Sequence, residues 1–173
     1  MVAYLLPKQA VVGSNPTARS NPFPLPPLTA YPCGTLNLMP SSDLPDNEPT
    51  TALRDLAAQA HGLRMLVLYG SRARTDARPD SDWDLGYLAD GSFDPGALYV
   101  DLSRTLNTDA IDLADLERAN GLLRYNVASD GRVLFEASPG EWERFWMAAV
   151  TFWCDVEPVL RPAYDAVLAR YQR

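Results

Sequence analysis

Past residue 49, apolar positions recur with the periods of regular structure. Leu53, Leu56, Ala57 and Ala60 repeat at helical spacing behind the candidate caps Thr50 and Thr51, and Gly62 is placed to close that helix in a left-handed conformation. Leu63 to Tyr69 is a short apolar run ended by Gly70, the pattern of a buried strand. Asp82 to Leu88 reads as a second strand, Asp94-Pro95 opens a helix through Leu106, and Ala110 to Leu116 gives a third strand. A helix over Ala119 to Ser129 and a short fourth strand over Arg132 to Phe135 follow. Ser138-Pro139 is expected to cap and open a long last helix whose stripe is Trp142, Phe145, Trp146, Ala149, Trp153 and Val156. Pro158 and Pro162 should break or kink it, and a second stripe, Leu160, Tyr164, Val167, Leu168 and Tyr171, continues to the end.

Strands and helices thus alternate along the chain, ahead of a C-terminal helical extension from about residue 138. Residues 1–48 differ in kind. Ten of the fifteen prolines lie before Thr50, so a disordered segment is expected there, followed by one domain over 49–173. Gly13 to Thr17 back-translates to a sequence shared by transfer-RNA genes, which points to a true start at Met39.

Composition narrows the function. Fifteen Lys+Arg against twenty-two Asp+Glu leave a net charge of −7, the wrong sign for a protein that tracks phosphate backbones, so no direct nucleic-acid binding is expected. No lysine occurs from Thr50 on, which excludes a lysine Schiff base and a Walker lysine there. Cys33 and Cys154 have neither metal-type spacing nor the density of a disulfide scaffold, and no apolar run is long enough to span a membrane. A protein of the reducing cytoplasm, without membrane contact, is the expectation. His61, the one histidine, sits where a helix-end cap is a better reading than catalysis.

Candidate chemistry concentrates in Gly70-Ser71-Arg72-Ala73-Arg74 and Asp80-Ser81-Asp82-Trp83-Asp84. A strand running into Gly-Ser and a helical turn lets backbone amides approach a phosphate, with the seryl hydroxyl as a further donor. Asp82 and Asp84, two apart on an extended strand, share a face and repel each other unless a cation intervenes; such hard oxygens suit Mg²⁺. Asp112, embedded in Ile111 to Leu116, is a charge in an apolar strand pattern and needs a partner. Asp115 is an odd number of residues away and must face the other side, where it can cap the following turn. Arg72 and Arg74 offer planar guanidinium forks, which match phosphate oxygens. Met147 and Phe152 fall off the aromatic stripe and are the better interface candidates.

Gly70-Ser71, ten intervening residues, then Asp82-Trp83-Asp84 resembles the GSx10DxD signature of the minimal nucleotidyltransferases of the polymerase β-like superfamily, specifically the antitoxins of HEPN/MNT toxin–antitoxin pairs. The likeness covers roughly Leu53 to Glu136 and implies an α+β fold, a small mixed β-sheet with flanking helices, with Arg72 or Arg74 offsetting charge that develops on a leaving pyrophosphate and Arg124 either reaching the nucleotide or pairing with a surface acid. It implies that Asp82, Asp84 and Asp112 are catalytic and hold Mg²⁺, two ions in the family, and that Gly70, Ser71 and Arg74 bind the nucleotide. It implies also that ATP is the substrate, with AMP passing to a tyrosine of a HEPN-type ribonuclease toxin as partner. One departure is Thr75, where the family usually has glycine; a β-branched residue resists positive φ, so an altered loop is expected. Nucleotidyl transfer to a small molecule, and an antitoxin that acts by binding alone, are the alternatives.

Overall fold

The computed structural model describes residues 48–74 and 76–171; the segment 1–47, with the proline-rich stretch, Met39 and Cys33, lies outside the described residues, as does Thr75. The chain order is α1 (Glu48–Gln59), β1 (Leu63–Tyr69), α2 (Gly70–Arg74), β2 (Trp83–Ala89), α3 (Pro95–Leu106), β3 (Ile111–Asp115), α4 (Gly121–Asp130), β4 (Arg132–Glu136) and α5 (Glu141–Tyr171). The four strands form one sheet in the order β3-β2-β1-β4. β1 runs antiparallel to both β2 and β4, whereas β2 and β3 are parallel, with α3 as the crossover that parallel neighbours require. The expected α+β mixed sheet with flanking helices is therefore the fold.

Alternation along β1 divides the core in two. Leu66 and Leu68, with Leu85 from β2 and Leu134 from β4, meet Leu53 and Ala57 of α1 and Leu98 and Leu102 of α3. Met65 and Val67 point the other way, onto Tyr125, Val127 and Ala128 of α4 and Trp142, Phe145, Ala149 and Trp153 of α5. The aromatic stripe read from the sequence is thus core, and Tyr125 stacks on Trp153 with ring centroids 5.4 Å apart. Met147 and Phe152 are about half exposed, as expected of positions off the stripe.

Several boundaries differ from expectation. α1 begins at Glu48, so Thr50 is not its cap but a buried residue of its first turn. Gly62 does adopt a left-handed conformation, φ 79°. β2 starts one residue late, at Trp83, which leaves Asp82 on the approach to the strand. α4 is capped by Asn120, whose side chain accepts the Leu123 amide. Ser138 does not cap α5: that helix starts at Glu141, and Glu136, at the end of β4, accepts the Trp142 amide at 2.6 Å. A carboxylate binds the orphan amide of a helix N-terminus more strongly than a hydroxyl does.

α5 also continues through Pro158 and Pro162. The two lie one turn apart, so the donors they remove come from one face, and Arg161 pairs with the buried Glu157 across the same turn. The side chains of Tyr164, Val167, Leu168 and Tyr171 lie outside the described residues, and Leu160 is exposed. No helix among the described residues is long and apolar enough to cross a membrane.

Candidate active site

The site is built where β1 ends. The strand passes without a loop into α2, and the change of direction is taken by Gly70 at φ 70°, a conformation that glycine adopts without a steric penalty. A side chain at position 70 would also overlap the carboxylate of Asp84, so the absence of a Cβ lets the turn rest against that group. Asp84 is the second residue of β2 and stands opposite Tyr69 in the antiparallel register. On its other side, in parallel register, stands Asp112. Adjacent strands are about 4.8 Å apart, so Asp84 and Asp112 are side-by-side neighbours on one face of the sheet. Their flanking residues Trp83, Leu85, Ile111 and Leu113 belong to the opposite core, which fixes the direction of the pair.

Burial, then the charge of Asp112, then that of Asp82, push the Asp84 carboxyl up to about 6; Arg74 and Arg72 pull in the other direction. The Tyr69 hydroxyl is held well above its usual range by burial and by the charges of Asp84 and Asp112. Asp84 therefore feels both of the other carboxylates named from the sequence. Asp112 is not buried, however. β3 is the outer strand of the sheet and the Asp112 side chain is exposed, so the cost of burying a lone charge does not apply to it; its partner is given by register instead. Asp115 lies on the other face, as expected, and caps the next turn by accepting the Glu117 amide at 2.9 Å.

As the side chains stand, no three acidic, histidine or cysteine groups among the described residues close into a cage for an ion. Two like charges side by side separate until a cation draws them together, and the hard oxygens of Asp82, Asp84 and Asp112 suit Mg²⁺, which takes a few carboxylates and completes its shell with water and phosphate. The chemistry of the donor set, and a carboxyl raised by burial and then by its two acidic neighbours, fit that ion.

Ser71 is half-buried in α2, next to Gly70, and its carbonyl accepts the Asp76 amide at 3.1 Å. The two arginines are engaged differently. Arg74 pairs with Asp130 at the end of α4 (2.7 Å) and with Asp76 (3.5 Å), and the hydrogen bond to Asp130 raises its already high pKa. Arg72 reaches back to the carbonyls of Ser81 and Asp82 and lies over the Trp83 ring. Arg124 lies over the Phe145 ring, between α4 and α5, and its Nε is buried without a hydrogen-bond partner. His61 is exposed before β1, at the end of that strand away from Gly70.

The structure thus brings Gly70, Asp84 and Asp112 together, sets Ser71 and Asp82 at the margins, and turns Arg74 toward Asp130. Tyr69, Asp130 and Trp83 also belong to this neighbourhood and were not picked out from the sequence. Trp83 had a visible signal, since it separates the two aspartates; Asp130 had none, because its partner is 56 residues away.

Residues 52–140 match the family model described as polymerase beta, nucleotidyltransferase. The protein adenylyltransferase MntA of Aphanizomenon flos-aquae (strain 2012/KM1/D3) is 34% identical over 118 residues, covering 58% of this chain and 78% of that protein. A solved toxin–antitoxin structure with AMP-PNP superposes with a TM-score of 0.58 at 25% identity, over 72% of this chain and 99% of that one. The complex of a tri-AMPylated Shewanella oneidensis HEPN toxin with its MNT antitoxin gives a TM-score of 0.56 at 22% identity, over 69% and 96%, and shares the fold. With its Gly-Ser turn and its paired strand aspartates in the matched segment, the chain belongs to the polymerase β nucleotidyltransferase family and is a homologue of the MntA antitoxins.

Proposed function

We propose that this protein is an Mg²⁺-dependent adenylyltransferase antitoxin that transfers AMP from ATP to a tyrosine of a cognate HEPN toxin and so neutralises it. The observation that carries the reading is the placement of Asp84 beside Asp112, against the Gly70 turn, where a triphosphate cradle and an acidic pair become one site. Likeness to a protein adenylyltransferase supports the choice of AMP and of a protein acceptor.

In this reading Gly70 and Ser71 hold the β and γ phosphates at the start of α2. Asp82, Asp84 and Asp112 would hold Mg²⁺, which would supply positive charge to the triphosphate. The tyrosine oxygen forms a bond to the α-phosphorus, the bond from that phosphorus to the bridging β-oxygen breaks, and pyrophosphate departs. Asp112, exposed on the outer strand, takes the phenolic proton. Arg74 leaves Asp130 to meet the charge that builds on pyrophosphate, a fork-shaped cation exchanging one oxygen pair for another.

The test mixes labelled ATP, Mg²⁺, the purified protein and its cognate HEPN toxin. Label should appear on a toxin tyrosine, and Asp84→Asn should lower the rate by about 10²- to 10³-fold, the loss typical when developing charge is deprived of its stabilising group. Toxin neutralised equally well by Asp84→Asn would assign inhibition to binding alone.

A further inference from the structure

Between α2 and β2 the chain must travel from the phosphate side of the site to its acidic side. The described residues of the connecting segment, 76–82, lie outside the sheet and end by delivering Asp82. Within it, the Ser81 amide donates to the Arg78 carbonyl at 3.1 Å and the Arg78 amide to the Ser81 hydroxyl at 2.9 Å. Pro79 occupies the second position of that four-residue turn, where its fixed φ fits. The turn is thus organised locally, but those bonds lie within 78–81 and do not tie it to the domain.

That tie is Arg72. Its Nη2 donates to the Ser81 carbonyl at 2.6 Å, and its Nε is shared between the carbonyls of Ser81 and Asp82, each at 3.2 Å. The guanidinium lies 4.3 Å from the centroid of the Trp83 ring. One planar cation therefore grips the two peptide units that precede β2, on both sides of the Asp82 α-carbon, while the indole supports its face.

We propose that Arg72 is a positioning residue for Asp82: it clamps the segment before β2 onto α2 and so sets where that carboxylate stands, instead of binding the triphosphate itself. The proposal rests on the functional reading above only for its kinetic arm. An arginine whose fork is committed to carbonyl oxygens has fewer donors left for phosphate, and the neighbouring Arg74, paired with carboxylates, is the better placed for exchange.

The test is hydrogen–deuterium exchange of the full chain in EDTA, for wild type, Arg72→Ala and Arg72→Lys. Lysine keeps a cation near Trp83 but has no fork with which to hold two carbonyls. Both variants should speed exchange within 78–82 by about tenfold or more while β1, β4 and α5 keep wild-type protection. Unchanged exchange in 78–82, faster exchange throughout the sheet, or a lysine variant that behaves as wild type would each overturn the clamp. In the transfer assay, Arg72→Ala should lower kcat at least tenfold and raise the Mg²⁺ concentration for half-maximal rate, with KM for ATP within twofold. A tenfold rise in KM at unchanged kcat would make Arg72 a phosphate ligand. Should the wild type transfer no AMP at all, the functional reading fails, and the exchange data still decide the clamp.

Discussion

Asp84 is a residue whose use in the site costs the fold. Its carboxyl titrates near 6 in the folded chain against an ordinary value of 3.8, so the native state binds the proton more tightly than the unfolded chain does. A raised carboxyl of this kind loses stability as pH climbs from about 4 to about 6, and the loss persists at neutrality. Asp84→Asn, measured by urea unfolding in EDTA, should therefore stabilise the protein by roughly 2 kcal/mol at pH 7, allowing for partial solvation, and by almost nothing at pH 4. Equal effects at the two pH values would mean that Asp84 is not the group under strain. The loss of AMP transfer expected of the same substitution belongs beside this gain, because the acidic neighbours that make the site also destabilise it. For Asp112 the reason given by the sequence does not hold. An apolar strand pattern suggested a buried charge, but β3 is an outer strand and the side chain is exposed; what couples it to Asp84 is pairing between strands, which a local pattern cannot contain.

Among elements, the beginnings of helices tell most about what the sequence could convey. The caps of α3 and α4, Asp94 and Asn120, are local: each accepts an amide two or three residues ahead. Asp94 before Pro95 was readable for that reason. α5 is different, since its first-turn amide is met by Glu136, from the preceding strand, across a turn that contains Gly140 at φ 87°. Ser138-Pro139 satisfied the usual signature and was bypassed. Glu136→Ala should cost about 1 kcal/mol in chemical denaturation, within the range for a lost helix cap, whereas Ser138→Ala should be neutral. The reverse result would restore Ser138 as the cap. Arg64 shows the same long reach: it joins Glu141 at the start of α5 (2.6 Å), Glu117 after β3 (3.3 Å) and Asp90 after β2 (3.9 Å), fastening the end of the sheet away from the site. Short-range signals placed the strands and most helices to within a residue or two, while the links among them were not legible.

For the whole molecule, the acid excess is spread over a domain whose functional face is itself acidic. With a net charge of −7, the chain should show no retardation of duplex DNA at 0.15 M salt, and a band shift in an electrophoretic assay would contradict that expectation. The sheet was legible through the family resemblance that the Gly-Ser turn and the DxD strand carry, not through their spacing alone. The position of β3 at the border of the sheet has a further consequence for what the protein can serve. A reactive pair set in the centre of a sheet would need a recess deep enough to swallow its acceptor. Here Asp112 stands on the flank, so a client as large as a folded protein need present only the tip of one side chain, sliding in sideways while the rest of its body stays outside.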